Sequence, residues 1–162
     1  DLDTIQKIDD LIRNAVTKTR SISKMLSPIE IDQSSLLPAV EEMILQIKTV
    51  FKIECSIEEN NFQDNFNSTI TTNLYYIIRE AINNSLKHSN ADSIHITFTQ
   101  NDNFLYIEIG DNGKGSNSFQ NNTGMGLKIM KYRAGIIGAN LSFENSSSGF
   151  LIKISLGIKN NN

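Results

Sequence analysis

The most informative segment of the sequence runs from Arg79 to His88 and reads Arg-Glu-Ala-Ile-Asn-Asn-Ser-Leu-Lys-His. With about 100° between successive residues of an α-helix, four polar side chains fall on one stripe of this segment: Glu80, Asn84, Lys87 and His88. The opposite face carries the residues expected to pack on a core: Leu74, Ile78, Ala81, Ile82 and Ser85. Carboxylate and amide oxygens suit Mg²⁺, and a lysine supplies mobile positive charge for phosphate. The stripe alone also fits a solvated helix face, so the later segments decide between these two interpretations.

A glycine-rich segment follows a predicted strand, Phe104–Ile109, and reads Gly110-Asp111-Asn112-Gly113-Lys114-Gly115. An aspartate at the end of a strand, followed by glycines that let the backbone approach a ligand, is common in binding sites. The alternative is an ordinary turn, because Asp-Asn-Gly favours turns in any context.

A second pair of glycines precedes another predicted helix. The segment Thr123-Gly124-Met125-Gly126-Leu127 leads into a helix-like apolar pattern over residues 128–139. A Gly-x-Gly at a helix start exposes free N–H groups at the positive end of the helix dipole, which favours an anion. The alternative is a capped helix start without a ligand.

The order and spacing of these three segments resemble the N, G1 and G2 boxes of the GHKL ATP-binding superfamily. The matching residues are Glu80 with Asn84, then Asp111-x-Gly113-x-Gly115, then Gly124-x-Gly126-Leu127. The resemblance covers nearly the whole chain and is closest to the catalytic domain of bacterial sensor histidine kinases. The pattern Arg-Glu-Ala-x-x-Asn-x-x-Lys-His and a short lid look like the subfamily that signals to NarL-type response regulators.

The resemblance also implies a role for each matched residue. Asp111 would accept a hydrogen bond from the adenine amino group, and Gly113 and Gly115 would let the chain pass close to the purine. Asn84 would be the Mg²⁺ ligand, and Glu80 would be the catalytic acid that orients or activates the nucleophile. The other nucleotide-binding residues implied by the match are Lys87, His88, Thr123, Gly124, Met125, Gly126 and Leu127.

The N-terminal part of the chain is predicted to be one long amphipathic helix, Leu2–Leu26. A row of six apolar residues and one threonine recurs at alternating spacings of three and four, which is the heptad pattern of a coiled-coil seam: Ile5, Ile8, Ile12, Ala15, Thr19, Ile22 and Leu26. Such a seam can pack on its own domain or on a second copy, and its regularity favours the dimer. We expect residues 1–27 to be the C-terminal part of a dimerisation helix and residues 28–162 to form the ATP-binding catalytic domain.

The remaining elements predict an α+β fold. We expect Ser34 or Ser35 to cap a helix that runs to about Val50, and we expect a second helix over Ile70–Ser89. Alternation of apolar and polar residues predicts five strands: Phe51–Ile57, Ser93–Thr99, Phe104–Ile109, Asn140–Asn145 and Phe150–Leu156. The predicted architecture is a two-layer α/β sandwich of the Bergerat (GHKL) type, with a mixed sheet covered by helices on one face.

Composition excludes several other classes of protein. A net charge of −3 and a pI near 5.4 argue against direct nucleic-acid binding, which favours a basic surface. The single cysteine, Cys55, lies in a strand pattern and is expected to be buried, and no disulfide can form within the chain. No signal peptide or membrane-length apolar run is present. We expect a cytoplasmic domain of a parent protein that is either free or membrane-anchored.

A phosphoacceptor histidine is missing from the expected place. The two histidines are His88 and His95, and none occurs in the Leu2–Leu26 helix. The resemblance therefore implies a histidine kinase domain that uses ATP and Mg²⁺, acts on a histidine upstream of this chain, and passes the phosphoryl group to a response regulator. The alternatives are a nucleotide-binding pseudokinase module without transfer, and a serine kinase of the anti-sigma-factor type.

Overall fold

The computed structural model describes residues 2–26, 35–114, 124–146 and 149–158. Within these ranges the helices are α1 (Leu2–Leu26), α2 (Leu36–Phe51), α3 (Ser68–His88) and α4 (Met125–Ile136). The strands are β1 (Glu54–Asn60), β2 (Ser93–Gln100), β3 (Phe104–Asp111), β4 (Asn140–Ser146) and β5 (Gly149–Gly157).

The described strands form one mixed sheet in the order β1-β2-β3-β5-β4. β1 and β2 are parallel, and the other neighbouring pairs are antiparallel. Parallel neighbours require a crossover connection, and α3 supplies it between β1 and β2. The mixed sheet predicted from the sequence is therefore confirmed.

One face of the sheet is buried under helices and the other is exposed. A continuous apolar row crosses the sheet, because Ile96 pairs with Ile109 and Ile109 pairs with Ile152. The helices contribute the apolar side chains that cover this row: Leu36, Val40 and Ile47 of α2, Leu74, Ile77, Ile78 and Ile82 of α3, and Leu127 and Met130 of α4. On the outer face Lys153 pairs with Glu144 at 2.7 Å. This confirms the two-layer sandwich.

The helix α2 begins differently from the sequence prediction. Ser35 occupies the N-cap position but makes no side-chain hydrogen bond there. The carboxylate of Asp64 takes that role instead, because Oδ2 accepts from the backbone N–H of Leu37 at 2.8 Å. The other candidate, Ser34, lies outside the described residues. A residue from the loop before α3 thus caps α2 across the fold.

The first strand begins later than predicted. Phe51 ends α2 rather than opening a strand, and Lys52 closes the helix in a left-handed conformation, with φ 53° and its N–H bonded to Lys48 O. β1 therefore spans Glu54–Asn60 instead of Phe51–Ile57. Cys55 is buried in β1 as expected, and burial raises the pKa of its thiol.

The predicted N-terminal helix is confirmed as α1. Its described apolar seam is exposed, with Ile5 at 66% and Ile12 at 55% of full exposure. The rest of the described chain therefore does not cover this seam. None of the helices that the structure describes has the length and apolar character needed to cross a bilayer.

Candidate functional site

The helix α3 presents its polar stripe away from the sheet. Its sheet-facing residues, Ile78 and Ile82 among them, are fully buried, whereas Glu80 and Asn84 are half-buried and Lys87 is exposed. The core packs one face of the helix, so its rotation about its own axis is fixed. The faces of α3 are therefore those predicted from its periodicity.

Asp111 is the last residue of β3, and both oxygens of its carboxylate accept hydrogen bonds. Oδ2 accepts from the hydroxyl of Ser85 at 2.7 Å, and Oδ1 accepts from the backbone N–H of Gly113 at 2.9 Å. A carboxylate offers about four lone-pair positions, so each oxygen retains capacity for a further donor. The end of β3 is thus tied to α3 at the residue directly after Asn84.

The segment after Asp111 packs against the C-terminal end of α3. The N–H of Lys114 donates to Ser89 O at 2.8 Å. Gly113 is buried there, and a β carbon at this position would overlap the same carbonyl oxygen. A glycine is required at 113 because the two backbones are in contact.

Asn112 holds the start of β2 beside this segment. Its Oδ1 accepts from the N–H groups of Asp92 and Ser93, each at 2.9 Å. Its own N–H donates to Ser93 O at 3.3 Å. The turn chemistry of Asp-Asn-Gly is therefore used, but it joins two strands and a helix and does not form an isolated surface turn.

The start of α4 meets α3 at Glu80. Gly126 lies so close to this side chain that a β carbon would overlap Glu80 Oε1 and lie 3.1 Å from Cδ. Gly124, the N-cap residue, differs because a β carbon there would meet nothing within 4 Å. Only the second glycine of the pair is therefore in contact with the polar stripe.

Arg133 fixes the remainder of α4 on α3. Its Nη1 donates to Asn73 Oδ1 at 3.2 Å, and its guanidinium lies 4.3 Å from the centre of the Tyr76 ring. Sequence alone assigns no role to this arginine. In the structure Arg133 links α4 to α3. Its contact Tyr76 lies one turn before Glu80 on the same stripe of α3.

Gly149 is a site-supporting residue that the sequence motifs do not include. It opens β5 with φ 138°, and a β carbon there would overlap the backbone oxygen of Asp111. Its neighbour Phe150 is the register partner of Asp111. Gly149 therefore lets β5 begin directly against the end of β3. The one signal for it in the sequence is its position after a run of three serines.

Three predicted site residues cannot be placed. Gly115 and Thr123 lie outside the described residues. His88 is the last residue of α3, but its side chain is not described. The structure brings together two pairs of predicted residues, Asp111 with Gly113 and Glu80 with Gly126, and Asn84 lies on α3 between Glu80 and Ser85.

The described side chains could hold a metal ion only when a bound phosphate compound supplies further oxygen ligands. In the part of the chain that the structure describes, no group of three His, Cys, Asp or Glu residues could hold an ion. Mg²⁺ usually keeps one or two protein ligands and takes its other oxygens from phosphates and water. A half-buried amide such as Asn84 meets that requirement.

These contacts agree with a match to a known family. Residues 69–159 match the family of histidine kinase-, DNA gyrase B- and HSP90-like ATPases. The match covers more than half of the chain, which therefore belongs to this family. The chain is an ATP-binding domain of the kind found in sensor histidine kinases.

Individual relatives agree with this assignment. The chain is 24% identical over 146 residues to the oxygen sensor histidine kinase NreB of Staphylococcus carnosus, covering 89% of this chain and 42% of NreB. It is 26% identical over 158 residues to the sensor protein VraS of Staphylococcus epidermidis, covering 95% of this chain and 45% of VraS. The chain thus spans less than half the length of these two relatives.

A solved structure has the same fold. The histidine kinase domain of the blue-light activated histidine kinase from Erythrobacter litoralis EL346 superposes with a TM-score of 0.65. The superposition covers 90% of this chain and 71% of that domain, at 13% sequence identity. The α+β sandwich predicted from the sequence is therefore the fold of histidine kinase catalytic domains.

Proposed function

We propose that this chain transfers the γ-phosphoryl group of ATP to a histidine located outside it, as the catalytic domain of a sensor histidine kinase. The phosphoryl group then passes to an aspartate on a response regulator. The signalling subfamily that we propose is the one that pairs with NarL-type regulators. The similarity to NreB and VraS, both sensor proteins by name, supports this proposal.

The observation that carries the proposal is the convergence of three segments on α3. Asp111 at the end of β3 accepts a hydrogen bond from Ser85, and Gly126 at the start of α4 lies against Glu80. Asn84 occupies the same helix between these two contacts. The helix α3 therefore brings a carboxylate acceptor, an amide and the N-terminus of another helix into one region of the fold.

The nucleotide would lie along this face with its base at Asp111. The free acceptor capacity of that carboxylate selects a purine with an amino group at position 6, because a carbonyl at that position has no proton to donate. Asn84 would hold Mg²⁺, which neutralises charge on the phosphates when it is bound. Lys87 is exposed on the same face and would contact the phosphates.

The phosphate end of the site would lie between Glu80 and α4. Free N–H groups in the first turn of α4 suit phosphate oxygens, and this is the role that we propose for the segment from Gly124 to Leu127. Glu80 would orient or deprotonate the attacking histidine. We further propose that His88, Gly115 and Thr123 border the nucleotide, as the family pattern implies.

The parent protein is proposed to be a homodimer through α1. The exposed seam of this helix, including Ile8 at 51% exposure, supports an intermolecular partner over packing on its own domain. The acceptor histidine would precede this helix in the parent chain. We propose a cytoplasmic location for this domain, where ATP and the regulator are available.

Radiolabel transfer from γ-labelled ATP tests the proposal. This chain alone should not label itself, because no acceptor is tethered within reach. The protein extended upstream to include the acceptor helix should take up acid-labile label, since a phosphohistidine hydrolyses in acid while phosphoserine survives. Tethering raises the effective concentration of the acceptor. The Glu80→Gln variant should lower the transfer rate about a hundredfold while ATP affinity changes little.

Two results would contradict this proposal. Acid-stable label would indicate a serine kinase of the anti-sigma-factor type. Intact ATP binding without any label in the extended protein would indicate a pseudokinase module.

A further inference from the structure

Ser85 carries a buried hydroxyl on α3 and stands at an unspecified position of the motif on that helix. Only 6% of the residue is exposed. Its Oγ lies 2.7 Å from Asp111 Oδ2 and 3.4 Å from the carbonyl oxygen of Ala81. A hydroxyl has one proton, and the shorter contact with a carboxylate is the stronger of the two hydrogen bonds. The proton of Ser85 is therefore directed at Asp111.

We propose that Ser85 is a specificity-determining positioning residue, which holds the Asp111 carboxylate in the orientation that recognises the amino group of a 6-aminopurine. This inference rests on the proposed function, because it assigns the base to Asp111. Ser85 does not contact the base in this proposal. It acts through the carboxylate.

The physical argument concerns rotation of the carboxylate. The terminal torsion of an aspartate side chain is broad, so packing alone does not fix the plane of its two oxygens. Two donors on different oxygens fix that plane, namely the Gly113 N–H at 2.9 Å and the Ser85 hydroxyl at 2.7 Å. The Gly113 donor lies only two residues along the chain, whereas Ser85 belongs to the helix against which the base would lie. Without Ser85 the carboxylate could turn about its single remaining anchor.

Ser89 provides a matched control on the same helix end. It is also buried, at 4% exposure, and its hydroxyl donates to Ser85 O at 2.6 Å and accepts from Ala91 N at 3.2 Å. Both of these partners are backbone atoms. Loss of either hydroxyl removes a buried hydrogen bond near the same place, but only loss of Ser85 releases Asp111.

The experiment compares ATP with purine riboside triphosphate, which carries hydrogen in place of the 6-amino group. Calorimetric titration gives both affinities for the unaltered chain, Ser85→Ala and Ser89→Ala. The unaltered chain should prefer ATP by more than about tenfold, and Ser85→Ala should reduce that preference about fivefold, the effect of one hydrogen bond. Ser89→Ala should keep the full preference, even where its stability falls. The ratio of two affinities is insensitive to partial unfolding, because unfolded chains bind neither ligand.

A failure of the proposed function and a failure of the role of Ser85 give different results. If the unaltered chain binds neither nucleotide, the proposed function is wrong and the inference falls with it. If the unaltered chain prefers ATP and Ser85→Ala retains the whole preference, the proposed function stands and the role of Ser85 is overturned. An equal loss of preference in Ser85→Ala and Ser89→Ala would also overturn it, because the effect would then belong to the helix end as a whole.

Discussion

The Glu80 carboxylate lies against Gly126 in the first turn of α4, where the helix presents no side chain. A β carbon at 126 would overlap Glu80 Oε1, which is the far end of a flexible side chain. Alanine at this position would therefore move the carboxylate and leave the backbone in place. Substitution of Gly126 therefore tests whether phosphoryl transfer depends on the position of the Glu80 carboxylate.

Gly126→Ala should lower the rate of phosphoryl transfer about a hundredfold, because a misplaced catalytic group can cost that much. The protein should remain as stable as the unaltered one, since alanine is favoured over glycine in a helix by about 1 kcal/mol. Transfer by the extended protein and thermal unfolding are the two measurements. Gly124→Ala is the matched control, because its β carbon meets nothing within 4 Å. Equal transfer rates for the two variants would contradict the proposed position of Glu80.

Asp111→Asn should weaken ATP binding about thirtyfold, equivalent to about 2 kcal/mol. The carboxylate accepts from Ser85 and Gly113 with different oxygens, whereas an amide has only one oxygen. One existing donor, or the adenine amino group, would then face an NH₂ group. Calorimetric titration measures the loss, with the exposed turn residue Asp102 changed to asparagine as control. Unchanged ATP affinity, or equal affinity for GTP, would refute the assignment of Asp111 to adenine.

Elements with a long and regular apolar pattern were predictable from the sequence. The helices α1 and α3 and the strands β2 to β5 occur where periodicity places them, with ends that differ by a few residues. The error at β1 has a physical cause. Phe51 continues an alternating pattern, but it is half-buried at the end of α2, and the left-handed Lys52 sets the true boundary.

The site was predictable as a set of motifs but not as a set of contacts. Spacing on a helix places Glu80 and Asn84 on one face, and these are local relationships. The bond between Ser85 and Asp111 joins residues 26 positions apart, and the capping bond from Leu37 to Asp64 joins residues 27 apart. No local pattern specifies such pairs, because they depend on how α3, β3 and the loop before α3 pack.

Asp64→Ala should destabilise the fold by about 1 kcal/mol, the usual effect of losing an N-terminal helix cap. The variant would leave the N–H of Leu37 without its acceptor at the start of α2. The loss should be moderate, since the other oxygen, Oδ1, is buried without a hydrogen-bond partner among the described residues. Denaturation in urea measures the free energy of unfolding, and Asp102→Ala is the control at an exposed turn. A change as small as that of the control would show that the cap contributes little.

Asn84→Ala should remove the dependence of ATP affinity on Mg²⁺ while the affinity measured in EDTA stays nearly the same. The reason is that an amide oxygen on the polar stripe would ligate the ion only when phosphates supply its other ligands. Asn83→Ala is the matched control, because both asparagines are half-buried but successive residues point about 100° apart around the helix. Titrations with and without Mg²⁺ give the increment in affinity for each variant. If Asn83→Ala abolishes the increment and Asn84→Ala retains it, Asn83 and not Asn84 is the ligand of the ion. If neither variant changes the increment, the ion binds without help from this helix face.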